Sequence, residues 1–368
     1  MTEANQAQNK RTPLHEVQQA AGATFGEWLG WEMPAVFSDV RAEHSAVRSD
    51  AGLIDLSYCG VIGIGGSEAP QFLNGLITND AKTVGRANGV LAGFLTEHGK
   101  VKALCAMLGL GDGYLIVNEP QTHEKVFNYV FPFSYAGDFK VEDVSARHRI
   151  LSVQGPKARN VLKEACFEPL PDLAELHWTS STIAGQQVIV VRRSRTGEDG
   201  YDLLIPEGVL RDVWEFILLK GGFHSIRAVG HEAFEVLRIE AGQLVYGADV
   251  DENNMMLETG LSEAVSFTKG CYKGQEAVAM ATYRGHVSKS ISGLTLESDV
   301  LPRHGDRVLS DGKPIGHVTS STRSYSLGRT IALAYLKYGA FDVGTEVEID
   351  SEQSRLPATV VSLPFYKA

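Results

Sequence analysis

Runs of apolar residues separated by short polar breaks dominate the first third of the chain and predict β-sheet there. The segment "YCGVIGIGG" is typical of one strand. Residues 89–118, "GVLAGFLTEHGKVKALCAMLGLGDGYLIVN", contain three apolar runs divided by "EHGK" and "GDG". Because glycine-containing breaks of this length favour tight turns, we expect an antiparallel meander over this region.

Segments with apolar residues at helical spacing lie between these strands. "TPLHEVQQAAGA" offers Thr12 as an N-cap and Pro13 at the first helical position, and it ends at Gly22. Other helices are predicted in "EAPQFLNGLI", "EGVLRDVWEFILLKGG" and "GHEAFEVLRIEAG", a strand and helix in "HRILSVQGPKARNVLKEA", and a hairpin in "QQVIVVRRSRTGEDGYDLLIP". Strands and helices do not alternate strictly, so the predicted class is α+β.

The pattern changes after about Val287. From there to the end the apolar runs are short and alternating, with turn residues between them: "SGLTLE", "DRVLSDGKPIGHVTSS", "IALAYL", "GTEVEID" and "ATVVSL". Many short strands at close spacing are typical of a small all-β domain. We expect a C-terminal barrel.

Charge and composition exclude some classes of function. The 368 residues include 34 basic and 45 acidic ones, which gives a net charge of -11 and disfavours general nucleic-acid binding. The opening "MTEANQAQNKRTP" lacks the apolar core of a signal peptide, and no later run reaches the roughly 18 apolar residues of a membrane helix. We therefore expect a cytoplasmic protein with no membrane partner.

Four cysteines and eleven histidines are spread through the chain without metal-ligand spacing. There is no CxxC pair, so a zinc ribbon, a disulfide framework or a self-contained iron–sulfur ligand set is not predicted. No metal ligand is assigned. A cysteine with a chemical role would act alone or with ligands from outside the chain.

One cysteine has unusual neighbours. In "SFTKGCYKGQEAVA", Cys271 lies between Lys269 and Lys273, with Gly270 and Gly274 leaving room for a ligand to approach. The two cations and a helix predicted to begin near "GQEAVAMA" would favour the thiolate. Since most lone cysteines are small packing residues, a buried structural role is the alternative.

A second candidate is "RTGEDGYD", in which Glu198 lies in a tight hairpin. Such a turn uses glycine and acidic residues for their tolerance of unusual backbone angles, and a plain structural turn is the simpler interpretation. The functional interpretation is that the two oxygens of the carboxylate accept hydrogen bonds from a heterocycle such as a pterin.

"FTKGCYKGQE" followed by "TYRGHV" resembles the KGCYxGQE motif of YgfZ-type folate-binding proteins, relatives of the glycine-cleavage T-protein (aminomethyltransferase). Further similar segments follow in the family's order, among them "GWEMPAVF", "FLNGLITND", "TGEDGYD" and "LRIEAGQLVYGADVDENN". The resemblance implies a three-domain ring. It consists of two interleaved α+β units over residues 12–285 and a β-barrel over residues 286–368, after a disordered tail at residues 1–11.

The resemblance also implies a ligand, tetrahydrofolate or a one-carbon derivative, in the central hole. It assigns Glu198 to the pterin and Asn118 of "YLIVN" to a folate-contacting backbone position. Tyr246 of "VYG" becomes a pocket residue, and Arg284 of "TYRGHV" joins the same binding set. Cys271, Lys269 and Lys273 are assigned to the chemical step.

Two departures from the T-protein pattern bear on activity. Where the resemblance implies an aspartate pair, "HGKVKALC" has Lys102 and Ala103, and where it implies an arginine, the chain has Phe234. Replacing an acid that stabilises positive charge by a lysine reverses the local electrostatics. Asp80 and Asp55 are the candidates for a substitute carboxylate.

Three hypotheses follow. The first is a tetrahydrofolate-binding protein that assists iron–sulfur cluster assembly or repair through Cys271, with assembly factors or client cluster proteins as partners. The second is a tetrahydrofolate-dependent aminomethyltransferase or demethylase. The third is a scaffold that binds no folate. The sequence favours the first, because of the cysteine motif and the missing aspartate.

Overall fold

The computed structural model describes residues 9–111, 113–135, 137–352 and 354–368. Most of the tail predicted over residues 1–11 lies outside the described residues. Its last two residues, Lys10 and Arg11, form a short strand that pairs in parallel with Trp31 and Glu32.

In the described part of the chain the helices are α1 (His15–Ala20), α2 (Val40–Ser49), α3 (Ala69–Leu76), α4 (Pro120–Val130), α5 (Ala158–Ala165), α6 (Leu210–Lys220), α7 (His231–Glu240) and α8 (Gln275–Arg284). The strands are β1 (Lys10–Arg11), β2 (Thr24–Trp28), β3 (Trp31–Val36), β4 (Gly52–Asp55), β5 (Gly60–Gly65), β6 (Gly89–Leu95), β7 (Val101–Leu110), β8 (Gly113–Asn118), β9 (Lys140–Asp143), β10 (Arg149–Gln154), β11 (Trp178–Ile183), β12 (Gln186–Arg192), β13 (Gly200–Ile205), β14 (Arg227–Val229), β15 (Lys289–Leu296), β16 (Arg307–Ser310), β17 (Lys313–Ser324), β18 (Arg329–Lys337), β19 (Glu346–Asp350) and β20 (Arg355–Val361).

The predicted meander is the centre of a five-stranded antiparallel sheet, in the order β6-β7-β8-β5-β9. Side chains of β6 and β7 alternate between two apolar cores, as the period of two requires. On β7, Ala106 packs into one core and Met107 into the other. Pairing of Cys105 with Asn118 fixes the register, so residue 119 follows directly beside Leu104.

A six-stranded sheet, in the order β11-β12-β13-β10-β4-β14, forms the other α+β unit. The predicted hairpin is present, with Val191 of β12 opposite Asp202 of β13. Helix α5 packs on this sheet through buried residues at helical spacing, namely Ala158, Val161, Leu162 and Ala165. The predicted amphipathic pattern therefore explains why α5 packs as a layer on this sheet.

The two α+β units are interleaved along the chain. Strand β4 belongs to the six-stranded sheet, β5 through β9 to the five-stranded sheet, and β10 returns to pair with β4. One apolar core joins the units, because Leu108 and Val117 of one sheet and Ile54 and Leu204 of the other lie in the same buried cluster. The space between the sheets is thus lined from both.

The C-terminal strands close into a six-stranded barrel, in the order β15-β18-β17-β16-β19-β20. Its interior holds a separate apolar cluster that includes Leu294, Val318 and Ile349. Closure pairs each strand of this sheet on both sides and so removes exposed edges, which suits a small all-β domain. The prediction of a barrel is confirmed.

Candidate functional site

A cavity lies between the five-stranded sheet, the β12–β13 hairpin and the segment that follows α7. We call it the first chamber, and it holds about 630 Å³ of space free of protein atoms, part of which opens to solvent. Its apolar walls consist of Cys59, Leu91, Ala92, Leu104, Cys105, Val117, Leu244, Leu261 and Ala264.

The polar end of the first chamber is formed by Asn118, Glu119, Arg193, Arg195 and Tyr246, with Gln243 beside them. These residues come from the end of β8, from the β12–β13 hairpin and from the segment after α7. A mostly apolar cavity with a few convergent polar groups is the usual form of a small-molecule site.

Asn118, a predicted folate contact, lies at the end of β8 and is 3% exposed. Its Oδ1 accepts no hydrogen bond from the described residues, and its Nδ2 lies 3.4 Å from Nδ1 of His123. A buried acceptor left without a donor costs about 1–3 kcal/mol. The side chain of Asn118 is therefore a ready acceptor for a ligand that donates an N–H group.

Glu119 follows Asn118 and is the N-cap of α4, with Pro120 at the first helical position. Its carboxylate forms no hydrogen bond or ion pair with the residues that the structure describes. Burial raises the pKa of Glu119, and the nearby Arg195 and Arg193 lower it in part. Sequence reasoning missed this residue, although the strand-to-helix step "VNEP" marks a place where side chains gather.

A second chamber adjoins the first and holds about 500 Å³ of space free of protein atoms. Both chambers are lined by Glu119, Arg193, Arg195, Gln243 and Leu244, so these residues form a shared wall. Apart from Val245, the remaining lining of the second chamber is aromatic or charged and consists of Trp28, Tyr58, Phe234, Glu235 and Arg238.

Tyr246, the predicted pocket residue, lines the first chamber and is 4% exposed. Burial raises the pKa of its hydroxyl to about 12, and Glu252 and Asp251 add to the effect. The phenol therefore stays protonated at neutral pH and serves as a hydrogen-bonding group in the wall.

Glu198 lies away from both chambers, at the junction of the hairpin with α2 and the C-terminal segment. Nη1 of Arg48 donates to the carboxylate at 3.2 Å and to the backbone oxygen of Thr196 at 2.7 Å. The same guanidinium donates to Glu240 at 2.6 Å and lies 3.8 Å from the ring centroid of Tyr366. The geometry thus gives the Glu198 carboxylate a protein partner within a structural junction.

Cys271 is exposed, on the loop that precedes α8, and does not line either chamber. Lys273 forms a 3.2 Å ion pair with Glu97 and lies 5.4 Å from the ring centroid of Tyr129. The helix begins after Gly274, whose φ is +82° and whose added Cβ would meet the Thr96 oxygen at 2.6 Å. The predicted helix at this position is confirmed.

The Lys269 side chain is hydrogen-bonded at the end of α3. Its ammonium donates to the backbone oxygens of Asn74, Ile77 and Asn79 at 2.6, 2.8 and 2.7 Å, and it lies 4.7 Å from the ring centroid of Tyr272. Burial lowers the pKa of Lys269 to about 8. Within the described part of the chain, neither lysine of the motif contacts the Cys271 thiol.

The positions at which the chain departs from the T-protein pattern are also resolved. The Lys102 ammonium lies 4.4 Å from the ring centroid of Tyr129, and Ala103 is fully buried in the core beneath the sheet. Phe234 lines the second chamber. The side chain of Arg284 lies outside the described residues, so the assignment of this residue to folate stays a prediction.

The two aspartates proposed as substitute acids have structural partners. Asp55 accepts hydrogen bonds from Thr12 Oγ1 and Gln18 Nε2 at 2.9 and 2.8 Å. Asp80 accepts from the Lys82 backbone N–H at 3.0 Å and caps a short 3-10 turn. Neither lines a chamber, whereas Glu119 lines both.

Two general features of the described residues are relevant to the class of protein. No group of three or more His, Cys, Asp or Glu side chains there has the arrangement of a metal site. None of the helices found in the same residues combines the length and the apolarity that a membrane span requires.

The fold is that of an α+β protein with a cavity between its two units and a C-terminal barrel. Residues 14–269 match the GCVT N-terminal domain, and residues 289–367 match the glycine cleavage T-protein C-terminal barrel domain. The chain belongs to the glycine cleavage T-protein family. The prediction of this fold class is confirmed, and the domain boundaries at residues 12, 285 and 286 stay a prediction.

Relatives cover almost the whole chain. An aminomethyltransferase of Caldanaerobacter subterraneus subsp. tengcongensis is 33% identical over 97% of this chain and 96% of its own. An aminomethyltransferase of Saccharopolyspora erythraea is 34% identical over 97% and 98%. The crystal structure of glycine cleavage system aminomethyltransferase T from Bartonella henselae has a TM-score of 0.90 at 27% identity, covering 98% of both chains.

These comparisons confirm the wider superfamily and do not distinguish the YgfZ-type branch. The relatives named above are aminomethyltransferases, so the comparisons favour the enzyme hypothesis over the iron–sulfur hypothesis, to which they lend no support. The sequence favours the iron–sulfur hypothesis over the enzyme hypothesis, and the comparisons reverse this order.

Proposed function

We propose that the first chamber binds tetrahydrofolate and that the chain transfers a one-carbon unit between folate and an amine, as an aminomethyltransferase or demethylase. Family membership and the names of the relatives support this. The observation that carries it is a pair of acceptors that receive no hydrogen bond from the described residues, the buried Asn118 Oδ1 and the half-buried Glu119 carboxylate, at one end of an apolar cavity.

The chamber suits the chemistry of a pterin ring. A pterin is flat and apolar on its two faces, and its amino group and ring nitrogens carry N–H donors. The apolar side chains of β6, β7 and β8 suit the faces, and the acceptor oxygens of Asn118 and Glu119 at the polar end suit the donors. The proposed contact uses the side chain of Asn118, whereas the family resemblance implies a contact through its backbone.

Glu119 takes the role of the acid that the sequence lacks at Lys102. A carboxyl whose pKa is raised by burial holds or accepts a proton nearer neutral pH, where general acid–base catalysis is efficient. When bound, tetrahydrofolate supplies the nucleophilic nitrogen that carries the one-carbon unit. With folate bound, the Glu119 carboxylate would be placed at the polar end to take up a released proton, and the apolar walls would exclude water.

The other predicted residues differ in their position relative to the first chamber. Tyr246 is a wall residue of the folate site, and Glu198 positions the β12–β13 hairpin, which carries Arg193 and Arg195, through its bond to Arg48. Because the hairpin forms part of the chamber wall, Glu198 acts on the ligand indirectly.

Binding and turnover of Glu119→Gln test the proposal. We expect calorimetry under anaerobic conditions to show saturable tetrahydrofolate binding by the unaltered protein and by the variant. Formation of methylene-tetrahydrofolate from aminomethyl thioether donors, lipoyl-bound or free, should fall about 100-fold or more in the variant, because a positioned acid–base group contributes about 10²–10⁴. Glu124→Gln, an exposed position on the same helix, is the matched control.

The outcomes separate the hypotheses. Absence of saturable folate binding would refute the proposal and leave the scaffold hypothesis. Binding with equal turnover in both proteins would remove Glu119 from the mechanism. Binding without turnover on any donor would favour a folate-binding protein that is not a transferase.

A second candidate function rests on one observation, the exposure of Cys271 while Cys59 and Cys105 are buried. An exposed thiol within the YgfZ-type motif is accessible to a client protein, as a role in iron–sulfur cluster assembly or repair requires. Replacement by serine in a strain lacking the native protein tests this role. Full rescue of cluster-enzyme activity by the serine variant would exclude it.

A further inference from the structure

The second chamber is lined by more charged side chains than the binding of folate in the first chamber requires. Three cations, Arg193, Arg195 and Arg238, and two acids, Glu119 and Glu235, line this small aromatic space. Buried charges are normally paired, since an isolated one loses its solvation. The charged groups that have no partner within the protein therefore indicate which charges a ligand must carry.

Two of the arginines are fully paired. Nε and Nη2 of Arg195 donate to the Asp202 carboxylate at 2.9 and 2.7 Å, a two-pronged arrangement. Arg238 donates to Glu235 at 2.7 Å and to Asp249 at 2.5 Å. These pairs account for one of the two acids in the chamber as well, Glu235.

Arg193 and Glu119 are left over. The Arg193 guanidinium forms no hydrogen bond with the described residues, and its nearest carboxylate oxygen, on Asp202, is 3.9 Å away and already bonded to Arg195. The side chain of Arg193 is 20% exposed, so it faces the cavity more than bulk solvent. The Glu119 carboxylate also has no partner in that part of the chain.

We propose that the second chamber binds a small zwitterion, a molecule with one ammonium and one carboxylate group, as the amine substrate beside folate. The Arg193 guanidinium receives the carboxylate, because a planar fork of donors matches its two oxygens. Glu119 and the aromatic side chains of Trp28 and Tyr58 receive the ammonium. This inference rests on the proposed function for the identity of the neighbouring ligand.

A carboxylate also occurs in the glutamate portion of folate itself, so the two sources have to be distinguished. If Arg193 received folate's own carboxylate, removing the guanidinium would weaken folate binding. If it receives a separate zwitterion, the affinity for the small ligand falls much more than the affinity for folate.

The experiment titrates glycine, acetate and methylamine into the full chain, with and without tetrahydrofolate, by saturation-transfer NMR and calorimetry. We expect glycine to bind at least about tenfold more tightly than either single-charge probe, because it engages both groups. Arg193→Gln should weaken glycine binding about tenfold to hundredfold, and it should weaken glycine binding at least about tenfold more than it weakens tetrahydrofolate binding, because Arg193 also lines the first chamber. Arg211→Gln, an exposed arginine on α6, is the control.

Arg193→Lys distinguishes lost recognition from lost folding, since it keeps the charge and should retain part of the glycine affinity. Equal binding of the three probes, or an unchanged glycine affinity in Arg193→Gln, would overturn the proposal. A loss of tetrahydrofolate affinity equal to the loss of glycine affinity would assign Arg193 to the folate tail and also overturn it. Glycine binding without folate binding would leave the zwitterion site standing and refute the proposed function alone.

Discussion

The charge network at Glu240 links the barrel to the α+β units and makes a quantitative prediction for stability. Its carboxylate is fully buried at the end of α7. It accepts hydrogen bonds from Arg48 at 2.6 Å, Ser324 at 2.5 Å and Ser326 at 2.9 Å, and its Oε2 lies 2.8 Å from Nε2 of His44. Burial by itself would raise the pKa of Glu240, but the hydrogen bonds outweigh it and lower the pKa to about 2.

The sign and size of the effect follow from this shift. A carboxyl whose pKa is lower in the folded state than the ordinary 4.5 stabilises the fold above about pH 4.5, and the contribution is lost as the pH falls toward 2. A shift of 4.5 − 2 = 2.5 units corresponds to about 3 kcal/mol at neutral pH. At pH 3.5 about 1 kcal/mol of this contribution is already lost.

Glu240→Gln should therefore lower the free energy of unfolding by about 3 kcal/mol at pH 5.5, and the difference from the unaltered protein should shrink by about 1 kcal/mol at pH 3.5. Urea unfolding followed by circular dichroism and tryptophan fluorescence measures both values. Glu164→Gln, on an exposed face of α5, should follow the unaltered protein at each pH. A Glu240→Gln deficit that stays constant from pH 5.5 to 3.5 would refute the proposed ionised state.

Two further predictions concern the cysteine motif. Lys269→Met should lower the free energy of unfolding by about 2 kcal/mol, because three backbone oxygens lose their donor, whereas Lys273→Met, at a largely exposed ion pair, should cost less than about 1 kcal/mol. Equal losses in urea unfolding would contradict this difference. Alkylation of the native protein at pH 8 should modify Cys271 first and spare Cys59 and Cys105, because burial raises the pKa of both, to about 12 for Cys105. Peptide mass analysis that found early modification at a buried cysteine would show that the core opens there.

The local elements follow from the sequence because their causes are local. The "EHGK" and "GDG" breaks predict the β6–β7–β8 meander, and the apolar spacing in "ARNVLKEA" predicts α5. Short alternating runs also predict the barrel without any knowledge of its register. The class of fold, the change of architecture near residue 287 and the helix after Gly274 were therefore accessible from the sequence alone.

The composition of the site depends on which distant segments meet. Glu119 is one carboxylate among many in the sequence, and only the packing of β8 against the β12–β13 hairpin places it in the same wall as Arg193. In the motif, Lys269 lies close enough to Cys271 in the sequence to act as its partner. Its long side chain instead donates hydrogen bonds to three carbonyl oxygens at the end of α3.

The helices and strands, the family resemblance and the replacement of the acid by Lys102 follow from the sequence alone. Which charges are paired depends on the fold, because burial and a few ångströms of separation set whether a carboxylate such as Glu198 is bonded within the protein or, like Glu119, faces a cavity. Hydrophobic spacing has a period that a single segment shows, whereas residues 119 and 193 come to line one cavity wall only after the chain has folded.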